Sequence, residues 1–373
     1  MRAQNLHRIA RRLHRIARRL HRTATCLYRT AKCLYRRIVM QQRRLGKNGP
    51  MISPIGIGAM SFADFYGKTN EANSHSVLAA ALDEGVTHID TANIYGPLTS
   101  EQSIGTFLAK QGGQKNDLFS IATKAGIARD ADTGRRYFDN SPAYLKAQLD
   151  ASLSRMGVDH VDLFYVHRRD ADTPIEEVAD TLAGLVKSGK TRSFGFSEIA
   201  PSSLHRASRL HHVAAVQSEY SLSVRAPELG LTQATAALDT ALVAFSPVGR
   251  SLLTDKPHDA AKAATMPFLK ENPRFQEPNL SENIRLTAAF RDLAADLGIS
   301  AAGLSIAWLL HQQDNVIPIP GTRSPAHLRE LCAGARLALG ESDLAAIEAV
   351  LPVGWAHGDR YSVGQWVARN VTA

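Results

Sequence analysis

The sequence predicts an α/β chain folded as one (β/α)8 barrel of the TIM type, with an N-terminal β-hairpin and a basic heptad-repeat extension ahead of it. Three observations carry this. From residue 43 onward, short β-branched or apolar runs alternate with longer segments of helical period, as in a parallel sheet with crossover helices. Eight such units follow one another with no Pro/Gly-rich linker, which suits a closed barrel better than an open sheet. No G-x-G-x-x-G separates a strand from a helix, because Gly56-Ile57-Gly58 continues into Ala59-Met60-Ser61, so a doubly wound dinucleotide-binding domain lacks its fingerprint.

Residues 1–40 come first. They repeat every seven positions, with Leu6, Leu13, Leu20, Leu27 and Leu34 in register and Ile9 and Ile16 on the same stripe, a basic amphipathic helix if folded. A surface membrane anchor, a coiled-coil element and an organelle-targeting peptide all fit that pattern. The near-identity of the heptads favours another reading, a repeated coding stretch read through from upstream, with Met40 as the physiological start. The domain division is therefore an extension over 1–40 and a barrel domain over 41–373.

Within the barrel domain, Arg43–Gly46 and Met51–Ser53 flank Lys47-Asn48-Gly49-Pro50, where Asn-Gly signals a hairpin expected to plug the bottom of the barrel. Strands are expected at Ile55–Ala59, His88–Thr91, Phe119–Thr123, Val161–Val166, Ser193–Phe196, Ala215–Gln217, Leu242–Phe245 and Val316–Ile319. Helices between them include Ser76–Glu84, Ser141–Met156, Ile175–Ser188, Ser202–Leu210 and Ala326–Ala335; Ser141-Pro142 is a good helix start. The stretch from Gly249 to about Leu280 is too long for an ordinary connection and is a candidate lid.

Composition removes several function classes. Of the formal net charge of +9, +12 lies in residues 1–40, leaving −3 for the barrel, so the body has no electrostatic reason to bind nucleic acid. Cys332 is the single cysteine of the body, and no His/Cys spacing offers a metal site. No apolar run of about 18 residues spans a bilayer. A cytoplasmic chain acting on a small molecule, with no nucleic-acid or membrane partner and as a monomer or small homo-oligomer, is expected.

A barrel of this type places its site at the C-terminal ends of the strands. The second strand ends in Asp90 and leads to Tyr95, the third in Lys124, the fourth in His167-Arg168, the fifth in Ser197-Glu198 and the sixth in Gln217. Tyr, Lys, Asp and His at one mouth can perform acid–base chemistry without a metal. Free Tyr titrates near about 10. Lys124 is expected to lower that value for Tyr95, with Asp90 holding the ammonium in place.

The segments Gly85–Gly96, Ala122-Thr123-Lys124 and Asp162–Arg168 resemble the signature stretches of the aldo-keto reductases, over a span from Arg44 to Leu351. Gln217–Leu222 and Phe245–Arg250 are similar to the pyridoxal-reductase and auxin-induced-type branch. The resemblance implies carbonyl reduction by hydride from a nicotinamide, with Tyr95 donating the proton, Lys124 and Asp90 tuning it, and His167 orienting the substrate. It also implies that Ser197 and Gln217 hold the nicotinamide carboxamide, with Glu198 among the cofactor contacts where Asn is common in the wider family, and that Phe245 stacks on the ring. Ser246, Pro247, Val248, Gly249 and Arg250 match the segment under the pyrophosphate. Gly321, Thr322, Arg323 and His327 match the grip on the adenosine 2′-phosphate, which favours NADP over NAD. His327 stands where Arg is usual and Leu331 where Asn is usual. Gly58, Ala59, Met60 and Asp90 complete the expected cofactor contacts. Substrate walls are expected from Met60–Phe65, Arg129–Phe138, Ser221–Pro227 and the Gly249–Leu280 stretch. Ser223, where the branch often has Trp, should leave the pocket roomier or wetter. Alternatives are a cofactor-binding regulatory subunit with weak catalysis, or an NAD-linked alcohol or sugar dehydrogenase.

Overall fold

The computed structural model describes residues 40–363, except 97, 113–116 and 131; the expected heptad helix therefore lies outside the described residues. The chain opens with an antiparallel hairpin of β1 (Arg43–Arg44) and β2 (Met51–Ile52). Eight parallel strands follow: β3 (Ile57–Gly58), β4 (His88–Asp90), β5 (Ser120–Ala125), β8 (Val161–Val166), β9 (Thr191–Ser197), β10 (Ala215–Glu219), β11 (Ala241–Phe245) and β12 (Val316–Pro318). Between β5 and β8 stands a small hairpin, β6 (Ile127–Arg129) with β7 (Arg136–Phe138), where the sequence suggested only a loop. The sheet runs β12-β11-β10-β9-β8-β5-β4-β3, and it closes on itself through Gly56 N–H to Pro318 O (2.9 Å) and Gly58 N–H to Pro320 O (3.0 Å).

Each expected strand is present, with ends shifted by a few residues. The first helix, Glu71–Glu84, starts earlier than the expected Ser76 because Asn70 caps it by accepting from Asn73 N–H. Pro142–Met156 starts as expected, with Ser141 as its cap.

Two-residue alternation decides what each strand offers the interior. Ile121, Phe164, Val166, Val216 and Leu242 face the helical layer, while Ala122, Leu163, Tyr165, Ala215, Val243 and Ile317 fill the barrel. Tyr165 is fully buried there, and a Cβ on Gly195 would lie 2.8 Å from its ring, so glycine makes the room. Leu45 and Ile52 of the hairpin join this inner cluster at the N-terminal ends of the strands, beside Ala214. Arg43 ties the hairpin down by donating to the carbonyls of Gln313 (2.6 Å), Val316 and Leu310. Among the described residues no single helix is long and apolar enough to cross a membrane, and no group of three or more His, Cys, Asp or Glu could hold a metal ion.

Candidate active site

Continuing the alternation upward, Asp90, Lys124, Ser197, Gln217 and Phe245 occupy the inward positions at the last turns of β4, β5, β9, β10 and β11. His167 follows the outward-facing Val166 on β8 and takes the next inward place. A cavity of about 770 Å³ opens above them, within the range of about 300–1,000 Å³ usual for small-molecule sites.

Its floor is charged and tightly bonded. The Lys124 ammonium, with no solvent exposure, donates to Asp90 Oδ1 and to Thr91 O (2.7 Å), while Gln217 Nε2 donates to Asp90 Oδ2 (2.7 Å). Burial pulls the Lys124 ammonium below its usual pKa, and the Asp90 carboxylate works against that pull. Above the pair sits Tyr95, edge-on to His167 (ring centroids 5.7 Å apart) and to Phe65 (6.1 Å), with Lys124 Nζ 5.2 Å from its ring centroid. The expectation of a lowered Tyr95 pKa is corrected here. Burial pushes the phenol well above its usual value and Asp90 adds to that, while the opposing cation is Arg168. Lys124 spends its hydrogen bonds on Asp90 and Thr91.

Most of the expected cofactor contacts line this cavity: Gly58, Met60, Ser197, Gln217, Phe245, Ser246, Pro247, Val248, Arg250, Gly321, Thr322, Arg323 and His327. Four expected site residues do not. Lys124 lies beneath the floor, while Ala59 and Gly249 are buried behind the wall. Glu198 leaves the strand in the left-handed region (φ 57°) and turns to Arg360, bonding it at 2.5 Å, so it is unavailable to a carboxamide. Arg250 reaches the cavity, but its guanidinium is committed to Glu219 (3.0 Å) and to Arg360 O (2.6 Å) rather than free for a pyrophosphate. Ser197 Oγ accepts from Arg168 Nη1 at 2.8 Å, and the same nitrogen donates to His167 O at 2.6 Å.

The residues from Ser246 to Ser251 form a strained turn, with Ser246, Arg250 and Ser251 all at positive φ (53°, 56° and 106°). Such strain persists only where surroundings hold it, and it concentrates at ligand clamps. At the far end, Ser324 caps the helix Pro325–Ala335 behind Thr322 and Arg323, and Arg323 Nη1 donates to Lys68 O (3.1 Å). Helix N-termini of this kind attract anions. Leu331 lines the same end as an apolar contact.

Three features go beyond the sequence reading. Arg168 and Arg136 both line the cavity, Arg168 from a strand end and Arg136 from the expected wall Arg129–Phe138, although neither is among the expected site residues. The candidate lid is a folded wall, pinned where Phe268 N–H donates to Phe65 O (3.3 Å), and it contributes Arg250, Lys256, His258 and Phe268. Finally, the chain after Val350 returns over the mouth. Trp355 Nε1 donates to Leu222 O (2.8 Å), the Asn283 side-chain amide donates to His357 O (3.0 Å) and accepts from His357 N–H (2.8 Å), and Tyr361 reaches the cavity under Arg250, whose guanidinium lies 4.6 Å from its ring centroid. This return explains why Ser221–Pro227, expected as a pocket wall, is absent from the cavity lining: Trp355 covers it, and Ser223 bonds Ser221 (2.9 Å) instead of opening space.

A profile of the Aldo/keto reductase family matches residues 54–352. The NADP(+) aldo-keto reductase yakc of Schizosaccharomyces pombe is 34% identical over 325 residues, covering 86% of this chain and 94% of that protein. A probable aldo-keto reductase 1 of Glycine max is 34% identical over 326 residues, covering 87% and 93%. Among solved structures, a glycerol dehydrogenase of Gluconobacter oxydans superposes with a TM-score of 0.73 at 26% identity, covering 84% of this chain and 96% of its own. An aldo-keto reductase of Bacillus halodurans superposes with a TM-score of 0.70 at 22% identity, covering 87% and 98%, and shares the fold.

Proposed function

Because the chain belongs to the aldo/keto reductase family, an oxidoreductase family acting on small carbonyl compounds, we propose that it reduces aldehydes or ketones with NADPH and that Tyr95 is the proton donor. One observation carries the acid assignment: a buried phenol, edge-on to His167 and directly over a buried Lys124–Asp90 pair, at the mouth of the cavity. Its raised pKa keeps it protonated throughout the working pH range, as a donor requires.

The residues present fit a nicotinamide dinucleotide. Ser197 and Gln217 offer polar atoms at the inner end, Phe245 a flat apolar face, the strained Ser246–Ser251 turn a clamp, and Thr322, Arg323 and the capped helix an anion site at the outer end. When bound, that group supplies the hydride. The chain's own part is the proton. His167 and Tyr95 flank the place of the carbonyl oxygen, and the phenol hydrogen passes to that oxygen as negative charge develops on it. The tyrosinate left behind is offset by Arg168 and by the Lys124 ammonium, which Asp90 and Thr91 O keep in place. Preference for NADPH rests on Arg323, a planar fork suited to a phosphate.

The test is loss of NADPH absorbance with a panel of aromatic aldehydes, pyridoxal and methylglyoxal, for the parent and Tyr95→Phe. Removing a general acid should lower kcat by about 10²–10⁴-fold while NADPH still binds, as read by fluorescence titration. Near-native turnover by Tyr95→Phe would refute the acid assignment. NADPH binding by the parent with no turnover on any aldehyde would favour a cofactor-binding module.

A further inference from the structure

We propose that the carbonyl substrate carries an anionic group, a carboxylate or a phosphate, seated between Arg136 and Arg168. This rests on the reductase reading and narrows its substrate class. Both guanidiniums line the catalytic end of the cavity, Arg168 from the end of β8 and Arg136 from β7. Neither forms an ion pair with a carboxylate among the described residues, although the buried Glu198, held by Arg360, also acts on Arg168. Arg168 donates to Ser197 Oγ and His167 O, both uncharged, and Arg136 makes no ion pair.

The surrounding charges sharpen the imbalance. Of the carboxylates at this end, Asp90 is bound by Lys124 and Gln217 and Glu198 by Arg360, and the other acidic groups lining the cavity, Asp255 and Glu330, belong to the wall and helix at the outer end. The two arginines therefore repel one another, and partial loss of water with the charge of Arg168 depresses the Arg136 guanidinium. Like charges facing one cavity are unfavourable unless something negative completes the set. A planar fork binds carboxylate or phosphate through paired hydrogen bonds. Ile127 and Phe138 line the same cavity and supply apolar surface for the body of the substrate. Arg136 is exposed, where it meets an anion entering from solvent, and Arg168 is less exposed.

The experiment compares three aldehydes of one shape, 4-carboxybenzaldehyde, 4-formylphenyl phosphate and the neutral methyl 4-formylbenzoate, under NADPH in low salt. A charge-assisted contact of this kind gives about tenfold or more in affinity, so at least one anion should exceed the ester in kcat/KM by that factor. Whichever anion exceeds it names the class. In Arg136→Gln the anion-to-ester ratio should fall at least about fivefold, and Arg136→Lys should restore part of it, because a fold defect would not follow charge. An ester reduced as well as both anions, or an unchanged ratio in Arg136→Gln, overturns the proposal and leaves the reductase reading standing. Failure to reduce any of the three, nor any aldehyde of the wider panel, refutes the reductase reading, and this proposal falls with it.

Discussion

The Asp90–Lys124 pair and the Glu198–Arg360–Glu219–Arg250 chain are both buried charge clusters at the mouth of the same barrel, and they are assembled in opposite ways. Asp90 and Lys124 sit on neighbouring strands, in register two residues apart, so closing the sheet is enough to bring them together. The second cluster needs the chain to travel from Glu198 to Arg360 and return across the mouth. The first is a property of the strands; the second is a property of how the tail folds back onto them. The first lies beneath the Tyr95 phenol, whereas the second holds Tyr361 in the wall, with Arg250 and Arg360 lying 4.6 and 5.2 Å from its ring centroid.

The largest expected break lies in the strand-built cluster. Lys124→Met removes a cation from a site with no solvent exposure and leaves the Asp90 carboxylate with Gln217 as its remaining side-chain donor. Breaking a buried pair in this way costs about 3–5 kcal/mol, to be read by urea unfolding. Turnover should fall as well, since the Tyr95 phenolate would lose a nearby cation. A variant as stable as the parent would show that the buried pair contributes no net stability.

The tail-built cluster should break with pH. Burial alone would raise the Glu198 carboxyl, but Arg360, followed by Arg168, more than reverses this and holds it down to about 2 from the usual 4.5. Because the folded value is the lower one, ionised Glu198 stabilises the fold above pH 4.5, and that contribution is lost as the pH falls towards 2. Its size is on the order of 3 kcal/mol. Arg360→Gln should therefore be less stable than the parent at neutral pH, and the gap should close on acidification through that window. A gap of constant size across the window would place the effect of Arg360 in packing against Tyr361 rather than in charge.

The same contrast explains what could be read from the sequence. The rule that barrels work at strand ends identifies Asp90, Lys124, His167, Ser197 and Gln217 without any long-range knowledge, while Phe245 comes from the family resemblance. Alternation argues against Glu198 as a cofactor contact, since Ser197 already faces inward. Arg360 and Tyr361 were illegible because nothing periodic marks a segment that packs by individual hydrogen bonds to Asn272, Arg274 and Asn283. The Tyr95 pKa was misjudged for a different reason. The sequence supplies the sign of a neighbouring charge but not the depth of burial, and depth prevails here.

The smallest effect should come from the outer end of the cavity, where a cation belongs to neither kind of cluster. Arg323 is partly exposed and is held by one hydrogen bond, to the backbone of Lys68, so its replacement leaves no buried charge behind and should change stability little. What it can change is the choice between cofactors. A charge-assisted contact to a phosphate contributes about 1.5–3 kcal/mol, or roughly 10- to 150-fold in affinity. Arg323→Ala should therefore weaken NADPH by a factor in that range and alter NADH, which lacks the extra phosphate, much less. The quantity to follow is the ratio of the two dissociation constants, by titration of protein fluorescence. If the ratio does not move, the anion site at Ser324 and the helix behind it selects the phosphate without the guanidinium, and Arg323 serves to fasten the Lys68 loop over the cavity.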